Sequence, residues 1–138
     1  MGAQPALLWI RGTSGWVPST ADSLGNLTVA LSGHRLKARI FNTALPAANT
    51  DLLTSGILPA TYGGFLIIYV AFSVAGLFYA RRTVSAVSVD EYFNSGVPLV
   101  ANCLYAFSLS WRSVDTINFR YSVTGGTTLL LDGIEVPR

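Results

Sequence analysis

The sequence predicts an all-β protein: an antiparallel β-sandwich, jelly-roll-like, preceded by an extended N-terminal arm. Three observations carry this. Ile117, Phe119, Tyr121 and Val123 alternate with Thr116, Asn118, Arg120 and Ser122, and a period of two marks a strand with one buried face. About seven such segments fill the last hundred or so residues, separated by Gly, Pro, Asn and Ser and without helical periodicity. Finally, 51% of the 138 residues are hydrophobic and only 12% charged, against about 25% charged in a typical soluble domain. That balance excludes a disordered chain. It also argues against a solitary monomer, because so few charges leave apolar surface to be covered by protein or lipid.

Residues 1–33 form the expected arm or small hairpin, and 34–138 the sandwich body. In the arm, Leu7, Leu8, Trp9 and Ile10 precede a turn at 12–15, and Trp16-Val17-Pro18 follows it. A strand is expected over 27–31, with Ser32-Gly33 as a hinge. Large aromatics in a thinly structured segment need a partner to bury them, so Leu7, Leu8, Trp9, Ile10 and Trp16 are the candidate partner-binding residues.

The body opens with Leu36, Ala38 and Ile40 alternating with Lys37, Arg39 and Phe41. A long connection over 42–62 carries Pro46 and Pro59, and one helical turn is expected near 51–54 because Asn49 or Thr50 can cap it. No charge occurs from Leu52 to Ala80, and Arg81-Arg82 follows at once, a pattern that also describes a membrane-spanning helix. A hairpin is preferred. The dense apolar core is only 16 residues long, follows Pro59 and Gly63-Gly64, and is rich in β-branched and aromatic residues. It divides near Val74-Ala75-Gly76 into strands over 65–73 and 77–85, with Gly76 suited to a left-handed turn position.

A strand over 87–93 and a turn at Asn94-Ser95-Gly96 come next. Alternation from Leu99 through Ala101, Cys103, Tyr105, Phe107 and Leu109 to Trp111 then reads as one long strand, with Cys103 a buried small hydrophobe. A turn over 112–115, the strand from 116, a Gly125-Gly126 turn and strands over 127–131 and 134–136 complete the chain. Because 65–72 is apolar on both faces, one face belongs to the core and the other to a neighbouring subunit. Phe65, Ile67, Tyr69, Phe72 and Trp111 are the candidate interface residues.

Nothing here assembles a catalytic or cofactor site. His34 is the only histidine and lies in a linker without an acid or nucleophile signature. Asp90 and Glu91 are adjacent, so on a strand they point to opposite faces. Neither glycine pair has the Lys and Ser/Thr of a phosphate loop, and no His, Cys or carboxylate pair has metal-ligand spacing. The single cysteine excludes an intrachain disulfide. A net charge of +2 without a basic run gives no support for nucleic-acid binding. Enzymatic activity, a cofactor, a metal and a nucleic-acid partner are therefore not expected.

Two stretches carry a resemblance. Trp16-Val17-Pro18 with Gly25-Asn26-Leu27-Thr28-Val29 resembles the opening of small structural proteins of tailed bacteriophages. Asn94-Ser95-Gly96-Val97-Pro98-Leu99 through Tyr105-Ala106-Phe107, then 115–122 beginning Asp-Thr-Ile-Asn, resembles their β-sandwich bodies. The resemblance implies a non-enzymatic virion protein assembled in the host cytoplasm, most directly a capsid decoration (cement) protein. Such a protein binds the outer shell as a homotrimer, its arms lying on the major capsid protein. The alternatives are a tail, neck or fibre component whose 42–62 loop contacts a host receptor or glycan, a small membrane-anchored protein with a span near 57–80, and a non-viral adhesion module.

Overall fold

The computed structural model describes residues 9–12, 15–18, 34–58 and 64–137. The chain divides into two units, Met1–Ser32 and Gly33–Arg138. In the first, β1 (Trp9–Gly12) and β2 (Gly15–Pro18) pair antiparallel, with Trp9 opposite Pro18 and Arg11 opposite Trp16. Over these residues the chain is a paired hairpin. Leu7 and Leu8, the 27–31 strand and the Ser32-Gly33 hinge lie outside the described residues.

The second unit holds β3 (Arg35–Ala44), β4 (Gly64–Phe72), β5 (Phe78–Val84), β6 (Val87–Tyr92), β7 (Tyr105–Trp111), β8 (Thr116–Tyr121) and β9 (Thr127–Pro137). They form two antiparallel sheets, β3-β9-β4-β7 and β6-β5-β8. The sheets pack as the predicted β-sandwich. Alternate residues from each fill the space between them: Leu66, Ile68, Val70 and Phe72 of β4, Phe78 and Ala80 of β5, Ile117, Phe119 and Tyr121 of β8, and Leu131 of β9. Aromatics dominate this core. Phe72 stacks on Tyr121 with ring centroids 3.7 Å apart, and Phe78 stacks on both Phe93 and Phe119.

The strand expected over 116–123 is β8, which ends at Tyr121, and the alternation that predicted it places Ile117, Phe119 and Tyr121 in the core. The expected 65–85 hairpin is not formed. β4 pairs with β7 and β9, whereas β5 pairs with β6 and β8, so residues 73–77 carry the chain from one sheet to the other. Gly76 does not take a left-handed conformation. Its carbonyl accepts from Leu99 N–H at 2.7 Å, and the aromatic ring of Tyr121 fills the space where a side chain would stand. Local sequence marks where a strand ends. Pairing partners depend on distant segments, and here both faces of β4 are apolar enough to suit either arrangement.

The long 99–111 strand is likewise shorter than its alternation suggests. Only Tyr105–Trp111 is strand, because Asn102 adopts a left-handed conformation (φ 60) and donates its N–H to Phe72 O at 2.7 Å. That turn leaves Cys103 exposed and not buried. The two short C-terminal strands are one, β9, which pairs with β3 along one edge and β4 along the other.

No helical turn forms at 51–54. Instead 49–57 runs along the outer edge of β8: Asn49 N–H donates to Tyr121 O (2.8 Å), Leu52 N–H to Phe119 O (2.9 Å) and Ile57 N–H to Ile117 O (2.6 Å). The donors that a cap would have served go to β8. Among the described residues no helix is long and apolar enough to cross a membrane.

Candidate functional site

The two sheets turn chemically different faces outward. On the four-stranded sheet, Phe65, Ile67 and Tyr69 alternate with the buried Leu66, Ile68 and Val70, and so project away from the core. Cross-strand register extends them into rows: Leu36, Ile134, Ile67 and Ser108; Arg39, Asp132, Tyr69 and Ala106; Phe41, Leu130 and Ala71. Phe65 is 47% exposed, Tyr69 37% and Phe41 71%. One ion pair crosses this apolar surface. Arg39 Nε and Nη2 donate to Asp132 Oδ1 and Oδ2 at 2.8 and 3.0 Å, a bidentate geometry that leaves the face electrically neutral.

Three of the predicted interface residues, Phe65, Ile67 and Tyr69, are therefore brought together on one outer face. Phe72 and Trp111 are not. Both point into the sandwich and are buried by their own chain, so neither is available to a second subunit. Of the predicted arm residues, Trp9, Ile10 and Trp16 lie in the β1–β2 hairpin, and Leu7 and Leu8 lie outside the described residues. Leu36 and Phe41 were not visible as members of the face. A β-bulge between Leu36 and Ala38 turns Leu36 outward while Ala38 and Ile40 pack on the core, and a one-residue shift of this kind leaves no mark in simple alternation.

The outer face of the three-stranded sheet is polar and internally paired. Arg81 binds Asp90 in bidentate fashion (2.8 and 3.0 Å), and Arg120 Nε donates to Asp51 Oδ1 at 2.7 Å. Between them Tyr79 is buried beneath the exposed Tyr92, with ring centroids 4.7 Å apart, and its hydroxyl donates to Asn49 Oδ1 at 3.0 Å. Burial, reinforced by the Asp90 charge, pushes the Tyr79 phenol above its ordinary pKa. A signal for the Arg81–Asp90 pair does exist in the sequence. The two sit symmetrically about the Ser85-Ala86 turn, directly opposite each other, with Glu91 on the diagonal to Arg82, as complementary charges on a hairpin should.

At one end of the sandwich the fully buried Asp115 ties the sheets together. It accepts from Arg82 Nη1 and from the backbone N–H and Nη2 of Arg112, the last two at 3.1 Å. Arg82 in turn donates to Glu91 and to the carbonyl of Ser110. Burial alone would push the Asp115 carboxyl up, but the Arg112 and Arg82 donors outweigh it and hold the pKa below the usual carboxylate range. These groups bond to one another across the end of the sandwich, which makes the cluster a clamp between the two sheets.

Between β3 and 52–58 lies an open groove of about 510 Å³ lined by Lys37, Ala38, Arg39 and Ile40 on one side and residues 52–58 on the other. Among the described residues no group of three His, Cys, Asp or Glu side chains is placed to hold a metal ion. Asp90 and Glu91 point to opposite faces, each held by a different arginine. His34 is exposed. No protein-family model, characterised protein or solved structure matches the chain.

Proposed function

We propose that this protein is a virion structural protein of the capsid-decoration type, which self-associates through the outer face of its four-stranded sheet. The observation that carries the self-association is that face. Its apolar residues run across β3, β9 and β4, with the small Ala106, Ser108 and Ser110 on β7, and the Arg39–Asp132 ion pair among them is internally matched. Four strands about 4.8 Å apart and about 30 Å long present a footprint on the order of 600 Å². That is close to the roughly 800 Å² of accessible surface each partner contributes to a stable interface. Neutrality favours a second copy as the occupant: the face meets its own like, or another uncharged patch of the next subunit, without charge repulsion, and a strongly charged partner meets no net charge to attract it.

The order of strands supports the virion part of the reading. With 49–57 counted as a strand beside β8, the eight strands of this unit divide between two sheets in the orders 1-8-3-6 and 5-4-7-2. That order supports a two-Greek-key jelly-roll reading, an architecture used by viral capsid proteins among others. Together with the resemblance of 94–99 and 115–122 to phage β-sandwich bodies, it favours a component of a shell.

Cementing needs no chemistry. A protein that binds the assembled shell and not its dissociated subunits stabilises the shell by mass action, and several linked attachment points slow its release. The homotrimer, with Leu7, Leu8, Trp9, Ile10 and Trp16 contacting the shell, is the form in which this reading supplies such multivalency. The test is made on particles produced from the genome that encodes the protein. Purified particles are expected to contain it in stoichiometric amounts. Particles from which its gene is deleted are expected to lose their contents at a lower temperature, with added wild-type protein restoring the difference. Absence of the protein from purified particles would overturn the reading.

A further inference from the structure

We infer that the outer face of the three-stranded sheet around Tyr92 is a binding platform for a neutral pyranose sugar. This platform lies on the sheet opposite the proposed assembly face, and the inference does not depend on that assembly.

The register builds it. Asp51, Arg120, Tyr79 and Tyr92 form one row across the 49–57 segment, β8, β5 and β6, and Asn118, Arg81 and Asp90 form the next. Tyr92 is 51% exposed, yet its ring is held from below by the buried Tyr79, whose own hydroxyl is fixed by Asn49. An exposed aromatic ring that is already immobilised loses little freedom when a ligand lies against it.

Spare hydrogen-bonding capacity surrounds the ring. A guanidinium has five N–H donors and a carboxylate accepts at about four lone-pair positions. Arg81 spends two donors on Asp90, and Arg120 spends one on Asp51. The remaining donors and acceptors are held rigidly by the ion pairs themselves, within a strand spacing or two of the Tyr92 ring.

The composition of the platform selects the ligand class. Two arginines and two aspartates cancel, so the platform gives an ionic ligand no net attraction. The surface is a sheet face and not an enclosed cavity, so a small apolar ligand would remain largely in water. A pyranose satisfies both conditions. Its C–H face lies on the ring of Tyr92, and its hydroxyls both donate to the carboxylates and accept from the guanidinium groups.

The full-length protein is titrated calorimetrically with soluble oligosaccharides of glucose, galactose, mannose and N-acetylglucosamine. At least one is expected to bind saturably below about 10 mM, in the weak range typical of a few contacts. Tyr92→Ala is expected to weaken that binding at least tenfold, Tyr92→Phe by no more than about threefold, and Tyr69→Ala on the other sheet not at all. Arg81→Lys keeps the charge but loses the planar fork, and is also expected to weaken binding; circular dichroism confirms that each variant is folded. Failure of every oligosaccharide to bind, or wild-type affinity in folded Tyr92→Ala and Arg81→Lys, would overturn the inference.

Discussion

Replacing Asp115 by Asn removes one charge from the end of the sandwich while leaving its shape almost unchanged. The carboxylate is fully buried and accepts from Arg82 Nη1, Arg112 Nη2 and Arg112 N–H. An asparagine oxygen in the place of Oδ2 can keep the bonds from Arg82 Nη1 and Arg112 N–H, but its NH₂ group must then face the Arg112 guanidinium, and no negative charge remains against Arg82. Breaking a buried ion pair by removing one partner costs about 3–5 kcal/mol. The lower end applies here, because Arg82 keeps Glu91 and the Ser110 carbonyl, and the Arg112 side chain is mostly exposed. A loss of about 3 kcal/mol corresponds to a fall in Tm of roughly 10 °C for a domain of this size. The pH dependence has a definite sign. A carboxyl whose folded pKa is depressed contributes fully above its unfolded pKa, and that contribution is lost as pH falls through the folded one. The gap between wild type and Asp115→Asn should therefore be full at neutral pH and shrink below about pH 4. Urea unfolding of both proteins at neutral and acid pH reads this directly. A loss under about 1 kcal/mol at neutral pH, or a gap that does not narrow in acid, would refute the clamp.

Two further substitutions probe the turns. Gly76→Ala places a methyl group 2.9 Å from the ring of Tyr121, which cannot swing away because its hydroxyl donates to Val74 O at 2.6 Å and its face stacks on Phe72. Overpacking of this kind costs about 1–3 kcal/mol, measurable as a lower urea midpoint, and an unchanged midpoint would mean the ring yields. In the β5–β6 turn, Ser85 and Ala86 both have positive φ (49° and 67°), where glycine is favoured at the second position. Ala86→Gly is expected to stabilise by about 0.5–1 kcal/mol, the relief of strain exceeding the added freedom of the unfolded chain. A lower Tm would contradict the turn geometry.

The fold class was legible because strand periodicity is local. Ile117, Phe119 and Tyr121 announce their burial through alternation alone, and the turn residues Asn94-Ser95-Gly96 and Gly125-Gly126 stand where the chain reverses. Pairing was not legible to the same degree. β4 is apolar on both faces, so nothing in 64–72 distinguishes a hairpin partner at 78–84 from the two strands that flank it, β7 and β9. The 49–57 segment escaped notice as a sheet member because it bonds to β8 through scattered backbone groups without regular alternation. Phe65, Ile67 and Tyr69 were singled out by the same two-faced hydrophobicity that misled the pairing, and they do stand on the outer face. Phe72 and Trp111 share that hydrophobicity but fall on the inner side, which only the register decides. Asp115 was missed because a lone aspartate in a turn looks solvated until Arg82 and Arg112 are seen to converge on it.

The central claim is that the apolar outer face of the four-stranded sheet is covered by a second copy of the chain. Light scattering of the full-length protein across a range of concentrations measures this most directly. Covering by further copies gives a mass that is a multiple of 14.7 kDa, about 44 kDa for the trimer. A face that packs on itself gives a twofold dimer, and one that meets a different patch of the next subunit can close a trimer, so either mass supports the covering. Ile67→Lys and Tyr69→Lys, which place charge in the middle of the face, should each reduce the mass to that of one chain. A wild-type protein that scatters as a 14.7 kDa monomer at every concentration would contradict the account.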